Sequence, residues 1–108
     1  MSDLAKMVCE PCRGGIPPLD AAGIAELRPQ LSDGWEVVED HHLVKDWSFD
    51  DFAGALAFVN RVGALAEAEG HHPDLTLGWG RVRCELWTHK VNGLTLWDFV
   101  LAAKIDEL

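Results

Sequence analysis

EAEGHHPDLTLGW, residues 67–79, changes its periodicity half-way, and the reading of that change decides the fold. Gly70 is a helix stop, and Pro73 forces the residue before it, His72, toward extended backbone. His71 and His72 therefore occupy a rigid corner between a helix and a strand. Upstream, Ser48 reads as an N-cap with Asp51 at N3, an Asp variant of the capping box, and Trp47 and Phe52 as the hydrophobic staple across it. The stripe Phe52, Ala55, Leu56, Val59, Val62, Gly63 and Ala66 then keeps helical spacing for about four turns. Downstream the period falls to two. Leu75, Leu77 and Trp79 alternate with Thr76 and Gly78. Val82, Cys84, Leu86 and Thr88 then alternate with Arg81, Arg83, Glu85, Trp87 and His89, which predicts a hairpin whose second strand ends at His89 with the first set facing inward.

Working outward, Asp20 caps a short helix with the stripe Ile24, Leu27 and Leu31, which Pro29 either kinks or ends at about Arg28. GWEVV (34–38) and HLVKDW (42–47) flank a polar turn and are rich in β-branched and aromatic residues, so they form an antiparallel hairpin. After the turn KVNG (90–93), Thr95 caps a last helix with Asp98 at N3 and a staple of Leu94 and Phe99. The order α-β-β-α-β-β-α predicts an α+β two-layer domain, a four-stranded antiparallel sheet with helices on one face. The chain, residues 1–108, is expected to be a single domain preceded by an N-terminal arm over 1–18.

The chain has 108 residues, 48% of them hydrophobic, enough for one modest core. Its formal net charge of -9 removes the attraction to phosphate on which nucleic-acid binding rests and disfavours anionic membranes. No stretch approaches the roughly 20 apolar residues that span a bilayer. Three cysteines cannot all pair, which points to a reducing compartment and a cytoplasmic protein. Cys9 and Cys12 make a C-x-x-C, yet no second pair follows to complete a zinc site, and the motif leads into a Gly/Pro-rich loop. They read as ordinary thiols of the arm.

Among the chemistries open to the histidines, a metal site fits poorly, because adjacent residues in extended backbone point their side chains apart. No nucleophile elbow is present. Three histidines and an acid brought together across a hairpin and a helix start fit proton transfer, since imidazole titrates near neutrality and serves as acid or base. By spacing alone Asp98 reads equally as a helix cap, and His89 as a polar strand end. His41 and His42 lack the proline, the nearby acid and the apolar flanks of the other pair. They read as solvated turn residues whose replacement changes little.

Glu67, His71-His72-Pro73, Trp79, His89 and Asp98 reproduce the spacing of an acid, three residues, His-His-Pro, five residues, an aromatic, nine residues, a histidine and then an aspartate. In this the chain resembles the pterin-4a-carbinolamine dehydratases. The likeness extends over CRGGIPPL, GWEVV and THKVNGLTLWDFVLAAKI, from about Cys9 to the end, with two departures. Pro29 falls where the first helix would continue, and Leu96-Trp97 replaces a polar pair before Asp98.

The resemblance implies loss of water from a 4a-hydroxytetrahydropterin, with no cofactor or metal. It implies His71 and His89 as the acid/base pair, His72 as a residue that orients the pterin and shares in proton transfer, and Asp98, with Glu67, as an orienter of imidazole. Pro73, Trp79, Thr88 and Lys90 would complete the substrate site. It further implies a homodimer or homotetramer and an aromatic amino-acid hydroxylase as a partner. The alternative it carries is a non-catalytic dimerisation or assembly factor of the same fold.

Overall fold

A computed structural model of the chain describes Leu4 and residues 18–108; Cys9 and Cys12 lie outside the described residues. Leu4, within the segment read as an arm, packs into the core at 4% exposure. The elements are α1 (Ala21–Leu27), β1 (Glu36–Val38), β2 (His42–Ser48), α2 (Phe52–Glu69), β3 (Asp74–Gly78), β4 (Arg81–Leu86) and α3 (Leu96–Asp106), the order and α+β class expected. Asp20 caps α1 by accepting from the Gly23 N–H at 2.8 Å, and the 3-10 turn Arg28–Gln30, built on Pro29, ends the helix.

The four strands lie in the order β1-β2-β4-β3, every neighbouring pair antiparallel. Thus the two hairpins join through their second strands, and β1 and β3 are the edges. The register pairs Leu43 with Leu86, Lys45 with Cys84 and Trp47 with Val82, and sets Leu75 and Leu77 beside Cys84 and Val82. Directly paired residues share a face, so these form the inner side of the sheet. The other side is mostly polar, with Val44 as a buried apolar member, and carries the two-pronged ion pair of Arg83 with Asp46, at 2.9 and 3.2 Å.

Against the inner face lies α3, in which Phe99, Val100, Leu101, Ala102, Ala103 and Ile105 are all buried; a helix apolar on every side belongs in the middle of a fold. Lys45 is the charged exception on the inner face. Its ammonium bonds Asp106 at 3.0 Å and the Ser32 hydroxyl at 2.7 Å, and lies 5.2 Å from the centre of the Trp47 ring. Asp106, at the end of α3, also accepts from the Trp35 indole N–H at 2.9 Å.

The structure moves two predicted boundaries. The cap of α2 is Asp51, which accepts from the Gly54 N–H at 2.7 Å. Ser48 is still paired in the ladder opposite Arg81, and the Phe49 N–H still reaches the Gly80 carbonyl at 2.8 Å, so the sheet holds the chain extended where a helix start was expected. The buried face of α2 is accordingly Ala55, Phe58, Val62 and Ala66. Phe58 rests on the Trp47 ring at 4.8 Å, while Phe52 and Leu56 of the expected stripe are 44% and 40% exposed.

Strand β4 ends at Leu86 rather than His89. Its neighbours run out there, since β2 begins one residue before Leu43, the partner of Leu86, and β3 begins opposite Glu85. With nothing left to pair, the chain turns through a 3-10 turn, His89–Val91, closed by the Thr88–Gly93 bridge and by Asn92 in left-handed backbone at φ 51. The first hairpin closes through Glu39 and Asp40 at φ 53 and 54, with the His41 N–H bonded to the Val38 carbonyl at 2.9 Å. Two successive positive φ angles give a type I′ turn, whose twist matches that of the strands it joins.

Candidate active site

This topology brings all five histidines to one end of the sheet. His41 and His42 leave the first hairpin turn, His71 and His72 precede β3, and His89 follows β4. Between the last two groups opens a cleft of about 260 Å³. Gly70, His71, His72, Pro73 and Asp74 form one wall, where the left-handed Gly70 (φ 68) turns the chain out of α2. Trp87, Thr88, His89 and Lys90 form the other.

Behind the cleft sits Asp98, fully buried, with its two oxygens doing different jobs. Oδ2 accepts from the Thr95 backbone N–H at 2.8 Å, the capping box expected at the start of α3, and from the Thr88 hydroxyl at 2.8 Å. Because the Thr88 proton is committed to the carboxylate, the Thr95 hydroxyl donates to Thr88 Oγ1 across 2.9 Å. Oδ1 accepts from His71 Nε2–H at 2.6 Å. One carboxylate is therefore both cap and imidazole partner, and the two readings that spacing left open are both true. A neutral His71 carries its proton on Nε2, which makes Nδ1 the basic nitrogen.

The other two histidines that line the cleft are held more loosely. The His72 ring is 60% exposed and stands 3.6 Å from Glu67 Oε1, a surface pair in which Glu67 is itself 81% exposed and contributes little binding energy. Among the described residues no side-chain hydrogen bond holds His89. Its ring lies on the Trp87 indole, centres 4.5 Å apart.

Cys84, inside the core, cannot supply a nucleophile, since burial, with the charges of Glu85 and Asp74 adding to it, pushes its thiol up to about 12. Among the described residues no group of three or more His, Cys, Asp or Glu side chains is placed to hold a metal ion.

Of the residues singled out in the sequence, the structure brings together His71, His72, Pro73, Thr88, His89 and Lys90 around the cleft, with Asp98 behind them. Glu67 stands outside its lining, beside His72. Trp79 is not brought in. It lies in the β3–β4 turn at the opposite end of the sheet, 71% exposed, roughly 15 Å along β3 from the cleft. Sequence reasoning passed over Gly70, Asp74 and Trp87 as site residues. Trp87 shares the outward phase of Arg83 and Glu85, and only the end of β4 at Leu86 frees it to form a wall.

Residues 17–108 match the family of the Pterin 4 alpha carbinolamine dehydratase. This chain belongs to that family. Similar chains named as pterin-4-alpha-carbinolamine dehydratase occur in Rubrobacter xylanophilus, 54% identical over the whole of both chains, and in Alkaliphilus metalliredigens, 48% identical over 99% of this chain and 96% of its relative. Among solved structures, a transcriptional coactivator/pterin dehydratase from Brucella melitensis superposes with a TM-score of 0.76 at 31% identity, covering 83% of this chain and 96% of the other. A pterin dehydratase-like protein described as a RuBisCO assembly factor of the alpha-carboxysome superposes with a TM-score of 0.59 at 25% identity, over 68% and 87% of the two chains. Among the described residues of this family member, no helix is long and apolar enough to cross a membrane.

Proposed function

We propose that the chain removes water from a 4a-hydroxytetrahydropterin to give a quinonoid dihydropterin, with imidazoles as general acid and base. In this reaction the N5 lone pair expels the C4a hydroxyl, so one group protonates the leaving oxygen while another takes the N5 proton. The observation that carries the reading is the His71–Asp98 bond at 2.6 Å on one wall of a cleft whose other wall holds His89.

His71, its tautomer set by Asp98, and His89 form the acid/base pair, while His72 orients the pterin and shares in proton transfer. The cleft is near the lower end of small-ligand sites, roughly 300–1,000 Å³, as suits a bicyclic heterocycle. The backbones of Pro73 and Lys90 pair with its pyrimidine edge, while Thr88, its backbone N–H bonded to the Gly93 carbonyl at 2.9 Å, fixes the wall it shares with Lys90. No metal or cofactor takes part. The cysteine content and the free, buried Cys84 support a cytoplasmic setting, where an aromatic amino-acid hydroxylase would supply the substrate and the product would re-enter tetrahydrobiopterin recycling.

The two sheet edges, β1 and β3, support a homodimer or homotetramer, and a monomer by light scattering at micromolar concentration would contradict that part of the proposal. The rival reading, a non-catalytic assembly or dimerisation factor, draws on the likeness to the carboxysome protein. It gives no role to a histidine held by a buried carboxylate.

Stopped-flow decay of the carbinolamine separates the two. The purified protein is expected to accelerate the decay and to keep its rate in EDTA. A decay no faster than in buffer would overturn the enzymatic reading.

A further inference from the structure

His41 and His42, read from the sequence as solvated turn residues, are tied into the wall of the cleft. His41 Nε2–H donates to Asn92 Oδ1 at 2.9 Å, joining residues 51 apart in the chain. With its Nε2 proton so committed, a neutral His41 has its lone pair on Nδ1, which accepts from His42 Nδ1–H at 3.1 Å. Both rings rest on Trp87, with centres 5.5 and 5.8 Å away, and Trp87 carries His89.

Asn92 in turn closes the 3-10 turn on which His89 stands. Its backbone N–H bonds the His89 carbonyl at 3.2 Å, and its φ of 51 ends the turn. The His89 side chain is exposed and lacks any hydrogen bond of its own among the described residues. Its position therefore depends on two supports, the Trp87 face and the Asn92 turn, and the first hairpin holds both.

We propose that His41 and Asn92 are positioning residues: their hydrogen bond clamps the His89 turn to the β1–β2 hairpin and fixes the His89 imidazole against Trp87 at the mouth of the cleft. His42 assists by holding the His41 tautomer that can donate to Asn92. The kinetic consequence rests on the dehydratase reading given above, whereas the structural one does not. A general acid or base displaced by about 1 Å can lose up to about 10²-fold in rate. The loss should therefore appear in kcat, with KM nearly unchanged, because neither His41 nor Asn92 lines the cleft.

The test compares Asn92→Gly, which keeps the left-handed backbone and deletes the amide, with His41→Ala and His41→Gln, the last retaining a side-chain N–H donor. Two readouts are taken on each full-length protein: stopped-flow carbinolamine decay, and the imidazole C–H resonances of His89 in two-dimensional NMR. The clamp predicts that Asn92→Gly and His41→Ala lower kcat at least about 10-fold with KM within about twofold. It also predicts that both shift and broaden the His89 signals, and that His41→Gln restores most of both. Unmoved His89 signals and an unchanged kcat in Asn92→Gly would overturn it, as would a His41→Gln protein as impaired as His41→Ala. If the wild-type protein shows no turnover, the dehydratase reading falls, and the His89 resonances alone decide whether the clamp exists.

Discussion

Asp98 shows how closely fold and chemistry share atoms at the scale of one residue. Asparagine in its place has one oxygen to offer, and two donors, the Thr95 N–H and the Thr88 hydroxyl, compete for it against one from His71. The amide oxygen will face the pair and keep the cap. The NH2 group then points at His71 Nε2, which must accept, moving the imidazole proton to Nδ1. Asp98→Asn is therefore expected to melt near the wild type while losing turnover by up to about 10⁴-fold, the scale seen when a buried carboxylate that sets a catalytic tautomer is amidated. Retained activity would show that the His71 tautomer is irrelevant, and gross unfolding would show that the cap outweighs it.

At the scale of elements, the sheet decides where α2 begins. If Asp51 is its cap, Asp51→Ala will cost about 1 kcal/mol in denaturant unfolding, while Ser48→Ala stays within about 0.5 kcal/mol. The reverse order would restore Ser48 as cap. All seven elements were legible from periodicity and caps, because helix stops, proline and the capping box are local signals, whereas the grouping of His71, His72, His89 and Asp98 was legible only through the spacing shared with the family. The errors arose where pairing partners decide. Strand β4 stops at Leu86 because β2 and β3 stop beside it, and no property of Trp87-Thr88-His89 itself records that. From that boundary follow the turn that carries His89, the wall made by Trp87, and the contact of His41 with Asn92. Trp79 has the opposite lesson, since spacing brings it into a motif that the length of β3 keeps away from the cleft.

Across the whole molecule, Asp106 fastens the end of α3 to the first hairpin. Burial pushes its carboxyl up, but the Ser32 backbone N–H, the Lys45 ammonium, the Trp35 indole and the Ser32 hydroxyl together draw it below its ordinary value. A carboxyl lowered on folding adds stability that is full above its unfolded value, near 3.9, and is lost as pH falls through the folded one. Asp106→Asn should therefore be less stable than wild type by about 2 kcal/mol at neutral pH, with the gap closing below about pH 4. A gap that stays constant down to pH 2 would show that the charge plays no part.

The fold built by these contacts serves, on this account, to hold two imidazoles across a cleft, and the exposed one is the cleaner to remove. His89 stands on a turn outside the core, so His89→Ala leaves no buried cavity. The most direct measurement is carbinolamine decay by stopped flow on His89→Ala beside wild type, with circular dichroism and melting temperature taken on the same samples. Turnover is expected to fall by about 10²–10⁴-fold with the spectrum and melting temperature unchanged. Full turnover by His89→Ala, or loss of its fold, would contradict it.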